Sequence, residues 1–297
     1  MPRRRTNGGV RSTAPGRVGD CGGWTDIKQA TQIMGGGAVS LLTVGLRAHV
    51  LVERSNDGRD PGSNDEGAII DIADFDQRIR VTSIEDMMLE GEHALLKAAL
   101  KRFPPPHRVR ITVYSDAPAA SGVGSSAAVA VALCGALADY NGQKWTPMSI
   151  AAQAQALEMQ DLGISCGLQD QYGSARGGPA YMEFEYPRVT HYRKLRLQDS
   201  FLRELDERLA LVYVGGRKSA QFHKYVIRNY ESGDKQTQEA MRALRVLAKE
   251  ASDALEAGDF TRYAEVCTEN TLQQKRLSEE VVPPKMEEII QIGRAHV

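Results

Sequence analysis

The densest chemistry in the chain lies in Pro118-Ala-Ala-Ser121-Gly122-Val123-Gly124-Ser125-Ser126-Ala127-Ala128. Gly122 and Gly124 let the backbone turn tightly and come close to a ligand. The serines that follow open a run of small residues expected to be helical, and the unsatisfied N–H groups at a helix start favour an anion. Hydroxyls placed there can bond a phosphate or ligate a metal ion. An ordinary Ser N-cap would explain one of these serines, but it needs no pair of glycines. Gly122-Val-Gly124-Ser-Ser-Ala127 also fits a dinucleotide fingerprint, in which a strand runs straight into the first glycine and a second strand ends in an acid. Here residues 116–121 intervene after the strand. Asp139 lies in a Tyr-Asn-Gly turn with no second strand to carry it. No Gly-Lys-Ser/Thr occurs anywhere, so a Walker lysine is missing. What remains is a phosphate loop of another kind.

Positioning such a loop requires strands before it and helices around it. Residues 39–53 read as extended, rich in Val and Leu, and a polar turn over 55–67 follows. A second extended stretch covers 68–81. Residues 86–103 carry the helical period, Pro104 to Pro106 stop it, and 109–114 alternate as a strand. A small-residue helix is expected up to Tyr140, another over 147–161, and then a Gly-rich loop to Gly178. Residues 180–184 and 209–214 read as strands, and the chain from Ser219 onward as mostly helical. Strands first and helices later imply an α+β chain rather than an alternating parallel one. No internal repeat is visible. The polar stretch 186–197 is the expected boundary between two units, and residues 1–13, with Arg3, Arg4, Arg5 and Arg11, the expected basic tail.

Pro118-x-x-x-Gly-Val-Gly-Ser-Ser-Ala-Ala resembles the second motif of the GHMP kinases, the galactokinase, homoserine, mevalonate and phosphomevalonate kinase group. Val123 stands where Leu is usual. The resemblance implies that Pro118, Ser121, Gly122, Val123, Gly124, Ser125, Ser126 and Ala127 bind ATP. Ala14-Pro15-Gly16-Arg17-Val-Gly-Asp-Cys-Gly22-Gly23-Trp24-Thr25-Asp26 is similar to the family's first motif, which holds the sugar. Galactokinases end that motif with Gly-Glu-His-Thr-Asp, and the Gly-Gly form here is closer to kinases acting on fucose or heptose 7-phosphate. Gly22, Gly23, Thr25 and Asp26 are thereby implied at the substrate. As residue types, Asp26 can accept hydrogen bonds from a sugar's hydroxyl pair and Thr25 can orient it. An Asx-turn with glycines serving backbone geometry fits the same residues.

Glu158-Met-Gln-Asp-Leu-Gly-Ile-Ser-Cys-Gly167-Leu168-Gln169-Asp170-Gln171-Tyr172 resembles the Gly-Leu-Gln-Asp-Gln-Tyr segment of heptose-phosphate kinases. This implies Asp170 as the catalytic carboxylate, Ser126 and Glu158 as Mg²⁺ ligands, and Gln169 and Tyr172 beside the substrate. Arg17 stands where galactokinases carry an arginine near the transferring group; an ion pair anchoring the first strand is its structural alternative. The family resemblance, over residues 14–285, implies two domains. Residues 14–190 would form an N-terminal domain of the ribosomal protein S5 domain 2-like type. Residues 191–297 would form part of a C-terminal ferredoxin-like α/β domain. It also implies transfer of the ATP γ-phosphoryl to a hydroxyl of a sugar or sugar phosphate, heptose 7-phosphate, fucose or galactose-like. A catalytically silent sugar and nucleotide sensor of the same fold is the alternative.

Composition narrows the partners. The 297 residues are 42% apolar and 25% charged, close to globular averages, with a formal net charge of -1. Neither nucleic acid nor an acidic membrane surface is favoured by that charge, and the six Phe are too scattered to stack bases. The longest apolar run, residues 127–138, is too short to span a bilayer. Four separated cysteines with no Cys-x-x-Cys pair, and a start without a signal-peptide core, point to a reducing, cytoplasmic setting. Trp24 can stack on a sugar face or fill core space. Arg217-Lys218 can bind a substrate phosphate or sit as surface charge. The Gly-rich third motif of the family is not found after residues 275–290. Ile292-Gly-Arg-Ala-His-Val297 matches one frame of a common sequencing adapter, so a truncated gene read is expected.

Overall fold

The computed structural model describes residues 3–6, 8–55, 66–215 and 219–295. Its centre is one mixed sheet of eight strands. β1 (Arg3–Thr6), β2 (Gly9–Cys21) and β3 (Gly37–Arg54) run antiparallel to one another. The far half of β3 then pairs with β6 (Val109–Ser115), which lies parallel to β4 (Ala68–Ile72), and β5 (Gln77–Val81) closes that edge. The near half of β3 pairs instead with β7 (Ala180–Glu185), and β7 with β8 (Arg188–Lys194). The sheet therefore forks along one long strand.

Alternation explains the central strands. Val109, Ile111 and Val113 of β6 are buried while Arg110 and Thr112 lie on the other face. Against the buried face pack α2 (Ala94–Arg102), α3 (Ser125–Tyr140), α4 (Pro147–Ala156) and α5 (Gln169–Arg176), forming the main core with Leu41, Ile70, Leu100, Leu133 and Ile150. Eleven of the sixteen residues of α3 are buried, as suits a helix apolar on every side. A π-helical turn, Leu157–Asp161, extends α4 and carries Glu158. On the other side of β2, β3 and β7, α6 (Asp199–Arg208), α8 (Lys235–Ala257) and α9 (Phe260–Leu277) bury a second core around Phe201, Leu255 and Tyr263. α1 (Lys28–Met34) and α7 (Ser219–Glu231) close a third with Trp24, Tyr230 and Leu244. α10 (Pro284–Ala295) ends the described chain.

The α+β expectation holds, and several local expectations change. Residues 3–6 and 9–13 are not a frayed tail, because residues 3–6 pair with 9–12 and residues 9–13 pair in turn with β3. The helix expected over 86–103 begins only at Ala94: Gly91 and His93 both take positive φ, 74° and 61°, which breaks the turn before it. Residues 68–81 are a hairpin around a 3-10 turn, Ala73–Phe75. The Gly-rich loop before Gly178 contains α5, with Gly173 letting the helix close on Leu41; a Cβ there would sit 3.0 Å from Leu41 Cδ2. Residues 186–197 are no linker, since β8 is an edge strand that needs only Val189 and Tyr192 as an apolar side. Residues 209–214 form no strand; Leu211, Val212 and Tyr213 stand exposed without a neighbouring strand to pair with among the described residues. The polar turn expected over 55–67 falls largely on residues 56–65, and Arg217 and Lys218 on 216–218, both outside the described residues. No helix among the described residues is long and apolar enough to cross a membrane. All four cysteines are free thiols, and the Sγ atoms of Cys21 and Cys267 approach to 4.0 Å.

Candidate active site

The phosphate loop joins β6 to α3. Ala120, Gly122 and Gly124 all take positive φ, 58°, 81° and 69°, so the chain coils back on itself before the helix begins. Ser121 N–H donates to the Pro118 carbonyl at 3.3 Å, and the Ser121 and Ser125 hydroxyls lie 3.2 Å apart. The cap position of α3 is Gly124, and no side chain caps it. The Ser N-cap is thus not what the structure shows, and an uncapped first turn is chemistry that favours an anion. Val123 and Ala127 are buried and anchor the loop to the core, while Pro118, Gly122 and Ser126 are exposed.

Arg17, on β2, ties this loop to the carboxylate. Its backbone N–H donates to the Val123 carbonyl at 2.8 Å. Its guanidinium donates from Nε and Nη2 to Asp170 Oδ1 at 2.7 and 2.6 Å, and from Nη1 to the Gly122 carbonyl at 3.4 Å. Gly124 adjoins this pair: a Cβ there would lie in ordinary contact, 3.4 Å from Arg17 Cγ and 3.5 Å from Asp170 Oδ2. Three stretches distant in sequence, the first motif, the loop and α5, therefore meet at one point. The ion pair expected as the structural role of Arg17 is therefore present, with Asp170 as its partner.

Glu158 sits on the π-helical turn, buried, with both oxygens engaged. Ser126 Oγ donates to Oε1 at 2.8 Å and Gln171 Nε2 donates to Oε2. Burial pushes its carboxyl above the ordinary range, against those two hydrogen bonds, which pull it down. Among the described residues no group of three or more His, Cys, Asp or Glu could hold a metal alone. An oxygen-only pair, Ser126 and Glu158, fits a hard cation that takes its other ligands from phosphate and water.

The first motif is placed less simply. Gly23 and Asp26 border the site, but Thr25 is fully buried: its hydroxyl lies 2.8 and 2.7 Å from the Gly22 and Ala38 carbonyls and accepts from Ala38 N–H at 3.0 Å. Gly22 turns at a φ of 89° with its N–H on Asn270 Oδ1 at 3.0 Å. Tyr172 belongs to the main core. None of these three lines the cleft: Gly22 and Thr25 hold backbone geometry, and Tyr172 is enclosed by the core. Asp26 is 1% exposed, and its Oδ2 accepts from Leu168 N–H at 2.8 Å and Gln169 N–H at 3.0 Å. Burial raises its pKa, the backbone bonds oppose that, and the nearby Asp170 charge adds to it.

A cleft of about 560 Å³ opens beside Asp170. Its lining includes Arg17, Gly23, Trp24, Asp26 and Gln169. Lys224 and Ile227 of α7 and Gln274 of α9 line it as well. Gln169 Oε1 is buried without a hydrogen-bond partner and lies over Gly19, where a Cβ would meet it at 2.8 Å. Sequence reading missed Lys224, Gln274 and Asn270, which stand on helices far along the chain with no motif around them. Gln171 it passed over, although an amide beside the acid was a signal. A hollow of about 640 Å³ near Asp234 and Arg276 is larger. Three of its charges are already taken: Asp234 caps α8, Arg276 bonds Glu239 and Lys275 pairs with Glu287.

Known proteins agree with this geometry. Residues 92–178, which hold the loop, Glu158 and Asp170, match the GHMP kinases N terminal domain. A D-glycero-alpha-D-manno-heptose 7-phosphate kinase of Campylobacter jejuni is 28% identical over 292 residues, covering 96% of this chain and 82% of its own. The crystal structure of a D-glycero-D-manno-heptose 1-phosphate kinase from Bacteroides thetaiotaomicron superposes with a TM-score of 0.73 at 27% identity, over 90% of this chain and 79% of that one. The Methanococcus jannaschii mevalonate kinase, at 16% identity and a TM-score of 0.72 over 98% of this chain and 86% of its own, shares the fold. The comparisons thus agree with the sheet and its helices: residues 92–178 match the GHMP kinase N-terminal domain, and the chain as a whole is similar to a heptose phosphate kinase.

Proposed function

We propose that the chain is an ATP-dependent kinase that transfers the γ-phosphoryl group to a hydroxyl of a sugar or sugar phosphate. The observation that carries this reading is the contact of Asp170 with Arg17 at the mouth of the glycine loop, beside a cleft of acceptor size. Phosphoryl transfer depends on in-line positioning and charge neutralisation more than on covalent chemistry. The loop N–H groups from Gly122 to Ser126 bind the phosphates of ATP. Ser126 and Glu158 hold Mg²⁺, which supplies charge neutralisation when bound. Arg17 offsets the charge developing at the transferred group and orients the Asp170 carboxylate. Asp170 accepts the proton of the attacking hydroxyl or aligns that hydroxyl. On the acceptor side, Gln169 presents a buried oxygen for a hydroxyl donor, and Lys224 presents a cation to an acidic group, as a sugar phosphate carries. The heptose phosphate kinases resembled above make a heptose phosphate the first acceptor to try.

The test is ADP release with ATP, Mg²⁺ and a panel of heptose 7-phosphate, fucose, galactose and other free sugars. Asp170→Ala lowers turnover by about 10²- to 10⁴-fold while nucleotide still raises Tm as in the wild type. Unchanged turnover in that variant removes Asp170 from the chemistry. Binding of sugar and nucleotide without ADP release supports the silent sensor instead.

A further inference from the structure

Asp26 borders the cleft, yet its observed contacts are with backbone N–H groups. It lies in the loop between β2 and α1, almost wholly enclosed, and Oδ2 accepts the N–H groups of Leu168 and Gln169. Those two amides open α5. Leu168 is the cap residue of that helix and contributes no side-chain cap of its own, so the cap comes from Asp26, 142 residues earlier in the chain. Gly167 makes room for it: a Cβ there would stand 2.0 Å from Asp26 Oδ2. The next residue after the second capped amide is Asp170, whose carboxylate must meet Arg17 and the loop at hydrogen-bond distance. A carboxylate at a helix start both satisfies orphan N–H groups and complements the helix dipole.

We infer that Asp26 is a positioning residue, which fixes the direction of Asp170 by capping α5 from the first motif, and that acceptor binding is not its main work. This rests on the kinase reading above for its catalytic consequence, and on the backbone hydrogen bonds for its structural one. Displacing a reacting group by a fraction of an ångström weakens catalysis more than binding. Removal of the cap should therefore lower kcat and leave the acceptor KM nearly unchanged.

The experiment compares Asp26→Ala, Asp26→Asn, Gly167→Ala and the double variant Asp26→Ala/Gly167→Ala, with heptose 7-phosphate and ATP as substrates. Amide hydrogen exchange over residues 165–172 is measured in parallel. Asp26→Ala is expected to lower kcat by about 10- to 100-fold with acceptor KM within about threefold, and to speed exchange at Leu168 and Gln169. Asp26→Asn keeps an oxygen in place and should recover most of kcat. Gly167→Ala leaves the carboxylate intact but pushes it away, so it should imitate Asp26→Ala. The double variant should be no worse than Asp26→Ala, because without the carboxylate there is nothing for the new methyl to displace. A rise in KM with kcat held, additive losses in the double variant, or unchanged exchange in Asp26→Ala would each overturn the inference. Should Asp26→Ala fail to fold, Gly167→Ala and Asp26→Asn still decide it through the same readouts. A wild-type chain that releases no ADP defeats the kinase reading, and the exchange data then judge the cap alone.

Discussion

Cys166 stands on the wall of the cleft between Glu158, Asp170 and Asp26. Burial, and then these three carboxylates in that order, push its thiol up to about 12. The thiolate is the nucleophilic form of cysteine, so at neutral pH this sulfur is a filler and not a phosphoryl carrier. That agrees with direct transfer to an acceptor hydroxyl aligned by Asp170. Iodoacetamide at pH 8 should leave Cys166 unmodified, by peptide mass spectrometry, over the time in which a free thiol reacts completely. Rapid alkylation would show that the carboxylates do not enclose it. At this scale the sequence singled out Asp170, Glu158 and the loop by motif spacing, and the fold brings them near one another. It misplaced Thr25 and Tyr172, because the motif does not say which polar group the fold itself consumes. Lys224 was invisible for the opposite reason: its role is defined only by which cleft its helix faces.

Among the elements, α3 decides how firmly the nucleotide side is held. Ala130, Ala132, Leu133 and Ala136 are fully buried, and the helix lies across β2 and β3 with Ser125 and Ser126 at its first turn. Alanines allow that close approach, so added volume has nowhere to go. Ala132→Leu should cost about 1–3 kcal/mol and lower Tm by several degrees, and it should weaken nucleotide binding although the residue touches no ligand. A calorimetric Tm within a degree of the wild type would mean the helix has slack. The strands 39–53 and 109–114 were legible from alternation, and α3 from its unbroken run of small residues. α5 was not, since glycines around it suggest a loop until Leu41 and Asp26 supply what the local sequence lacks. Residues 209–214 are rich in strand formers and still form no strand, because β-propensity expresses itself only where a partner strand is available.

For the molecule as a whole, Leu209, Leu211, Val212 and Tyr213 are each roughly half exposed and adjacent, a stretch of β-formers on the surface. Such a segment invites pairing with another chain. Leu211→Ser with Val212→Ser should reduce concentration-dependent association in light scattering while leaving Tm nearly unchanged; unaltered association would place the sticky surface elsewhere. The three cores divide the labour unevenly around the cleft. Donor-side groups hang from a helix locked into the largest core, whereas Lys224 and Gln274 reach in from helices of the peripheral ones. On the proposed reading retooling has a direction: the acceptor would be exchanged by altering two outer helices, one surface codon at a time. A change of phosphate donor would require rebuilding the interior.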